Sequence, residues 1–146
     1  MQETELKIIK NIDIRFCEVD QLNVVWHGHY LKYFEDAREA FCDKYNLNFS
    51  DFVKEGYITY ISKYTVEHKL PLRYKEKIKV EVMFKDCRTC KILFVYNVYN
   101  SKNQLACIGS TEQVVIDKEG KLMIDWPDFL KSWKNTFVEY DPVKFE

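Results

Sequence analysis

The sequence is poor in the residues that interrupt a chain: it has only four glycines and three prolines among 146 residues. It contains no low-complexity segment and no internal repeat that would mark a linker or a solenoid. A chain of this length is long enough to bury a sizeable core as one domain. We therefore predict a single domain that spans residues 1–146.

The chain also has no excess of charge of one sign, since it contains 22 basic and 23 acidic residues and its net charge is −1. This balance gives no support for binding to nucleic acid or to an anionic membrane. No apolar run approaches the roughly 18 residues of a membrane-spanning helix. The N-terminus has no basic region followed by an apolar core, so it does not resemble a secretory signal. We expect a cytoplasmic protein.

The five cysteines are an odd number at irregular spacing. This pattern favours reduced thiols in the cytoplasm over a disulfide framework. Cys87 and Cys90, in `CRTC`, have the spacing of a redox or half-zinc motif. A zinc ribbon needs a second such pair, which is missing, and a thioredoxin-like pair begins a helix rather than joining two strands. A redox role stays open beside the simpler interpretation of a turn.

Apolar residues are abundant, at 47% with 16% aromatic, and their spacing indicates the secondary structure. Residues alternate in polarity from Leu6 to Cys17, which predicts a strand with Leu6, Ile8, Ile12, Ile14 and Phe16 on one face. From His29 to Tyr45 apolar residues recur at steps of three and four, as in a helix. Four further strands and a short C-terminal helix are predicted at Tyr57–Leu70, Glu76–Asp86, Lys91–Asn100, Leu105–Asp117 and residues 126–135.

The long helix must bury its apolar stripe, and a single antiparallel sheet curled around it does so with few elements, as a two-layer α+β domain. The segment `ILFVYNVY` is apolar on both faces, which predicts either a central strand or a strand at an interface. The short polar connections `DCRT` and `SKNQ` predict antiparallel hairpins. Apolar surface left at the edges of such a sheet predicts a homodimer.

The segment `WHGH` places His27 and His29 on either side of Gly28. Two imidazoles could bind a transition metal if a third ligand were available. The remaining histidine, His68, lies on a predicted strand without a carboxylate cluster. We therefore favour the alternative that Gly28 marks the point where a loop enters the helix, and we predict no metal site.

Asp20 is a lone acid ahead of an apolar run that leads into the same helix. A loop aspartate is ordinarily a turn or cap residue. A helix N-terminus, however, offers unpaired N–H groups and a partial positive charge that can polarise an acyl carbonyl. A carboxylate beside it can attack that carbonyl or activate water. The pattern is typical of a minimal hydrolase without a GxSxG nucleophile elbow.

The segment `IRFCEVDQLNVVWHGHYLKYFEDAREAF` resembles the signature of the 4-hydroxybenzoyl-CoA thioesterase group of hotdog-fold acyl-CoA thioesterases. The resemblance continues in `KLPLRYKEKIKVEV`, in `FVYNVYNSKNQLACIGSTEQVVIDKEGK` and in `WPDFL`, so that it covers nearly the whole chain. It implies an α+β hotdog fold, in which a five-stranded antiparallel sheet wraps around one long central helix. It also implies hydrolysis of an acyl-CoA to a free acid and CoA without a cofactor, in a homodimer or homotetramer.

The resemblance also implies roles for particular residues. The family's catalytic aspartate matches Asp20, and the residue whose backbone N–H polarises the thioester carbonyl matches His27. CoA phosphates are held by basic residues, for which Arg88 and Lys91 are the candidates. Further contacts with the substrate are expected from Val25, Trp26 and Tyr30.

Several positions depart from the family pattern. Asn23 stands where many relatives have glycine, although Asn can adopt the left-handed conformation. His29 replaces an Asn or Ser and has no role that we can assign. Lys75 and Glu76 follow `LRY` where many relatives have Gly-Asp or Asp-Asp.

Three alternatives stay open at this point. In other hotdog subfamilies the catalytic acid lies on the central helix, where Glu35 and Glu39 are the candidates, although such residues are more often solvated. The chain could instead bind acyl-CoA or an acyl carrier protein without turnover, or act as a scaffold. Neither the acyl group nor the choice between nucleophile and general base for Asp20 follows from the sequence.

Overall fold

The computed structural model describes residues 6–138. Within these residues, five strands form one antiparallel sheet, and three helices accompany it. The strands are β1 (Lys7–Asp13), β2 (Tyr57–His68), β3 (Lys77–Lys85), β4 (Lys91–Tyr99) and β5 (Leu105–Asp117). The helices are α1 (Tyr30–Tyr45), α2 (Phe49–Lys54) and α3 (Asp128–Phe137), with 3₁₀ turns at Phe16–Glu18 and His27–His29. The predicted α+β hotdog fold is confirmed, and only the short helix α2 was not predicted.

The strands lie across the sheet in the order β1-β3-β4-β5-β2. The central position predicted for β4 is therefore confirmed, and its side chains alternate between buried and half-buried. Both predicted hairpins are present, because β3 pairs with β4 and β4 pairs with β5 in antiparallel register. Strand β2 lies at one edge of the sheet and is largely exposed along its length.

Helix α1 lies in the curve of the sheet with its apolar face buried. Phe34, Ala37 and Phe41 have no exposed surface. The ring of Phe34 stacks on Tyr96 of β4 with 4.4 Å between ring centroids. A Cβ atom at Gly109 of β5 would lie 2.3 Å from Cζ of Phe34. Gly109 therefore has no side chain at the point where the Phe34 ring packs against β5.

One predicted core residue is misplaced. The alternation predicts that Phe16 shares one strand face with Ile12 and Ile14, but Phe16 is 74% exposed whereas Ile14 is 3% exposed. The strand ends at Asp13, and a 3₁₀ turn begins at Phe16, so the alternation of faces does not continue that far. Its ring instead contacts Tyr74, with 5.5 Å between centroids.

The cysteine pair lies in the turn between β3 and β4, where the sequence predicted a hairpin connection. All five thiols are free. Cys90 is buried, and burial raises the pKa of its thiol to about 11, so the reactive thiolate is scarce at neutral pH. Within residues 6–138, no helix has the length and apolar character needed to cross a membrane.

The packing of Phe34 against Gly109 predicts that one methyl group added at this position lowers the stability of the protein. Gly109→Ala places a Cβ against Phe34, and overpacking of this kind lowers the free energy of unfolding by about 1–3 kcal/mol. Denaturant unfolding of the purified variant measures this loss. Gly120→Asn is the matched control, because Gly120 has a φ of +81° and no atom within 4 Å of the point that a Cβ would occupy, a conformation that Asn tolerates. Equal loss in both variants would contradict the packing argument.

Candidate active site

The loop that carries Asp20 is closed by its own backbone. The Asp20 N–H donates to the Val24 carbonyl at 2.9 Å, and the Asn23 N–H donates to the Asp20 carbonyl at 3.0 Å. Asn23 has a φ of 59°. It therefore adopts the left-handed conformation that was expected at this position from the glycine in the family pattern. Lys75, at the other departure from the family pattern, is also left-handed with a φ of 71°.

The carboxylate of Asp20 is exposed and held by one hydrogen bond. Its Oδ1 accepts the N–H of Leu22 at 2.8 Å, which is an Asx turn. Within residues 6–138, no donor is bound to the other carboxylate oxygen, Oδ2. The side chain is thus oriented by the loop while Oδ2 stays accessible to a substrate or to water.

A buried acid that the sequence did not single out anchors this loop. Glu18 is only 5% exposed, and its Oε1 accepts the N–H of Arg15 at 2.8 Å. Its backbone carbonyl accepts the N–H of Trp26 at 3.0 Å. The backbone bond joins the two ends of the loop, and the side-chain bond holds the 3₁₀ turn from which the loop begins. The place of Glu18 in the triplet `EVD` was the only sequence signal.

The helix entry presents free backbone donors close to Asp20 in the chain. The His29 N–H donates to the Trp26 carbonyl at 2.9 Å. The N–H groups of His27 and Gly28 lie at the start of the helix, where backbone N–H groups have no carbonyl acceptor within the helix. In the part of the chain that the structure describes, they donate to no other acceptor. The 3₁₀ turn runs directly into the 16-residue helix α1, whose dipole favours negative charge at this end.

Gly28 is needed here for space. A Cβ at this position would lie 2.1 Å from Cζ3 of Trp26, so the indole covers the backbone at the helix entry. The Trp26 ring lies 4.8 Å from the His27 ring and 5.5 Å from the His29 ring, between centroids. His29 Nδ1 is buried without a hydrogen-bond partner within residues 6–138. Across the same residues, no three His, Cys, Asp or Glu side chains converge as metal ligands do.

The two other predicted substrate contacts on this segment, Val25 and Tyr30, lie in the core. They are 6% and 2% exposed. Tyr30 packs edge-on against His68 at 4.5 Å between centroids, and burial raises the pKa of its hydroxyl to about 12. Their side chains therefore form the wall behind the loop and the helix entry, while Trp26 and His27 remain exposed.

Arg88 and Lys91 are not brought together with Asp20 in one chain. The loop of Asp20 follows the end of β1 that pairs with Lys77, at the start of β3. Arg88 and Lys91 lie beyond the other end of β3, which is roughly 25 Å away at 3.3 Å per residue. Lys91 Nζ forms an ion pair with Glu112 at 2.7 Å, and Arg88 is exposed.

A cavity of about 570 Å³ lies between α1, α2 and the start of β2. Arg38 lines it, and Nη1 of Arg38 donates to the Tyr96 hydroxyl at 3.2 Å. That hydroxyl also bonds to Thr111 Oγ1 at 2.7 Å. Thr59 Oγ1, on the same lining, is buried without a partner within residues 6–138. Glu35 and Glu39, the alternative acids on the central helix, line the cavity as well, whereas no sequence pattern pointed to Arg38 or Thr59.

Comparisons with known proteins identify the family of this chain. The model of the thioesterase-like superfamily matches residues 14–134. The putative acyl-CoA thioesterase YneP of Bacillus subtilis is 27% identical over 128 residues, which are 88% of this chain and 93% of that protein. The solved DHNA-CoA thioesterase of Staphylococcus aureus is 30% identical with a TM-score of 0.77, covering 89% of this chain and 90% of its own.

A third similarity concerns the fold alone. The Staphylococcus aureus protein SAV2348, solved in complex with CoA, is 10% identical with a TM-score of 0.80 and covers 97% of this chain and 94% of its own. The superfamily match extends over most of the chain and includes the loop, the helix entry and all of α1. The chain therefore belongs to the thioesterase-like superfamily of hotdog-fold proteins and is a thioester hydrolase, as the sequence predicted.

Proposed function

We propose that this protein hydrolyses acyl-CoA thioesters to a free carboxylic acid and CoA, with Asp20 as the acid that acts on the thioester. The observation that carries the proposal is an exposed carboxylate with a free oxygen, held by a closed loop that leads into a helix with unbound N–H groups. Assignment to the 4-hydroxybenzoyl-CoA group and a cytoplasmic location are the finer parts of this proposal, as is action of the whole chain, residues 1–146, as one domain.

In the proposed reaction, the His27 N–H donates to the thioester carbonyl oxygen and the helix terminus stabilises the negative charge that develops there. Asp20 Oδ2 either attacks the carbonyl carbon, so that CoA leaves as a thiolate and water then cleaves a mixed anhydride, or it takes a proton from the attacking water. Hydrolysis in labelled water under single turnover separates the two routes, because only the anhydride route places solvent oxygen in Asp20.

The identity of the acyl group in the substrate is less well determined by the site than the type of reaction. The relative from Staphylococcus aureus is named for DHNA-CoA, which supports aromatic acyl groups as substrates to test first. Trp26, which is 48% exposed beside the helix entry, offers an aromatic surface for such a group or for the CoA arm. Acyl carrier protein is an alternative carrier of the acyl group.

We further propose that two copies associate through β2. An edge strand presents unpaired N–H and C=O groups, and four large apolar side chains on β2 are exposed. Those side chains are Ile58, Tyr60, Ile61 and Tyr64. Antiparallel pairing about a two-fold axis brings the start of β2 in one copy beside the end of β2 in the other. Such a dimer would bring Arg88 and Lys91 of one copy toward the helix entry of the other, where CoA phosphates would bind.

Asp20→Asn tests the catalytic role directly. Asn retains the Oδ1 acceptor for the Leu22 N–H, so the loop and the thermal unfolding midpoint should change little. Loss of the carboxylate should lower kcat by about 100-fold or more, as measured by thiol release from acyl-CoA. His27→Ala should lower kcat much less, because the backbone N–H remains.

Two outcomes separate the alternatives. Near-wild-type turnover in Asp20→Asn would refute the assignment of the acid. Wild-type protein that binds CoA esters but releases no thiol from short, long or aromatic acyl groups would instead identify a binding module, and the absence of any affinity for CoA esters would favour a scaffold role.

The dimer is tested by charges on the edge strand. Ile58→Lys combined with Tyr64→Lys places two lysines on β2, and lysine on an edge strand disfavours pairing. We expect sedimentation to report a monomer in place of the wild-type dimer. Ile124→Lys is the matched control, since Ile124 is 59% exposed but lies outside the strands, and it should leave the dimer intact. A dimer that survives the β2 substitutions would exclude this interface.

A further inference from the structure

We infer that the loop of Asp20 carries a docking surface for an anionic lipid bilayer. The surface, which we call the apolar tip, consists of Phe16, Leu22 and Tyr74, with Arg73 and Lys75 at its border. Docking goes beyond the proposed function, because binding to a bilayer requires neither the turnover of a CoA ester nor the association of two copies.

The apolar tip is the place where the chain exposes its apolar side chains most fully. Leu22 and Phe16 are the most exposed large apolar residues within residues 6–138, at 77% and 74%. Tyr74 is 37% exposed, and its ring lies 5.5 Å from that of Phe16 between centroids. Single exposed apolar residues are ordinary, whereas a group of neighbours marks a contact with another protein or with a membrane.

Backbone hydrogen bonds hold the tip in place. Val24 pairs with Arg73 in an antiparallel bridge, and the Val25 N–H donates to the Leu72 carbonyl at 2.8 Å. These bonds join the two segments that form the tip. Leu22 lies in the turn that precedes Val24 and that its own hydrogen bonds close. The apolar side chains are therefore held in water by a fixed backbone, and a surface that covers them would recover the cost of their exposure.

The exposed charges around the tip are mainly basic. Residues 13–27 and 67–77 contain five exposed basic residues and three exposed acidic ones. The basic residues are Arg15, Lys69, Arg73, Lys75 and Lys77, and the acidic ones are Asp13, Asp20 and Glu67. Glu18 and Glu76 add no exposed charge, since Glu18 is 5% exposed and Glu76 is half-buried. The net charge of the whole chain is −1, so this basic excess is local and complements an anionic surface.

The kinds of side chain at the tip match the layers of a bilayer surface. Phe16 and Leu22 can enter the boundary of the acyl chains, as the apolar face of a surface-bound protein does. Tyrosine favours the level of the headgroups, and the Nζ of Lys75 lies 5.7 Å from the centroid of the Tyr74 ring. Arg73 and Lys75 can therefore bind lipid phosphates beside it. Because the tip projects as a turn, a deformable lipid surface fits it better than a rigid protein partner.

Trp26 supplies a reporter of the docked orientation. Of the three tryptophans, Trp26 is 48% exposed, whereas Trp126 and Trp133 are each 8% exposed. The Trp26 N–H donates to the Glu18 carbonyl at 3.0 Å, at the base of the loop whose turn carries Leu22. A bilayer that covers the tip would therefore bring its lipids close to the Trp26 indole and not to the two buried ones.

Vesicle flotation tests the apolar part of the surface. We expect the wild type to bind vesicles of equal parts phosphatidylglycerol and phosphatidylcholine, and to bind more weakly as salt is added. Phe16→Ser combined with Leu22→Ser should lower the partition coefficient by about 10-fold or more. The thermal unfolding midpoint should change little, since both side chains are exposed.

The matched control removes two apolar side chains from the opposite end of the sheet. Leu122 and Ile124 are 46% and 59% exposed, and the Ile124 carbonyl accepts the Cys90 N–H at 2.8 Å, just before β4 begins. Leu122→Ser combined with Ile124→Ser should leave the partition coefficient at the wild-type value. An equal loss in both double variants would overturn the assignment of the surface.

Charge reversal tests the basic border. Arg73→Glu combined with Lys75→Glu should lower binding to the same vesicles by about 10-fold or more, because both cations face the anionic lipid. Lys118→Glu combined with Lys121→Glu makes the same change in net charge in the turn after β5, where both lysines are exposed. This control should bind as the wild type does. A loss that is the same in both variants would indicate attraction by net charge alone and would overturn the inference.

Brominated phosphatidylglycerol tests the orientation. Bromine on the lipid should quench the fluorescence of the bound wild type, and the quenching should disappear in Trp26→Phe. Quenching that persists in Trp26→Phe would place another face on the bilayer and overturn the inference.

Two further outcomes separate docking from other possibilities. A wild type that binds no vesicle would overturn the inference, and loss of self-association in Phe16→Ser with Leu22→Ser would then identify the tip as a contact between copies. Hydrolysis of CoA esters in solution by such a protein would leave the proposed function intact. A wild type that binds vesicles through the tip but hydrolyses no CoA ester would refute the proposed function and support docking.

Discussion

The burial of one face of α1 in the curve of the sheet is the interaction on which the other features depend. Phe34 stacks on Tyr96, and Gly109 has no side chain that would hold the helix away from β5. Because this contact sets the position of the helix axis, it also sets where both ends of the helix lie. The N-terminal end reaches the Asp20 loop, and the middle of the helix carries Arg38 to the cavity. A single packed interface thus positions both the helix entry and the cavity that Arg38 lines.

The same architecture explains why one chain looks incomplete. The sheet curls around one helix and leaves β2 as an exposed edge with apolar side chains. The predicted CoA-binding residues Arg88 and Lys91 lie at the opposite end of the sheet from Asp20, and no residue before Glu35 lines the cavity. A second copy added along β2 would bring these separated parts together. The exposed edge at β2 and the distance between Asp20 and the two basic residues are therefore two consequences of one topology.

Much of the fold was predictable because its signals are local. Strand β4 is predicted to be central since both of its faces are apolar. Asn23 is compatible with the left-handed loop position that glycine occupies in many relatives, since Asn adopts this conformation more readily than most residues. Helix α2 was missed because six residues are too few for a helical period to stand out. The prediction for Phe16 was wrong because alternation does not reveal where a strand ends. Glu18 attracts notice only as a member of the triplet `EVD`, because its burial depends on residues that the loop meets after folding.

The sequence by itself determined the five strands and the long helix, the loop with Asp20 ahead of the helix entry, and the family, since each depends on residues that are close together along the chain. Tertiary structure decided what surrounds them. It placed Gly28 beneath the Trp26 ring and Val25 and Tyr30 in the core. It also separated Arg88 and Lys91 from Asp20 and brought Arg38 and Thr59 to one cavity. These relations join distant segments, and their geometry follows from how the helix packs on the sheet, which no local pattern encodes.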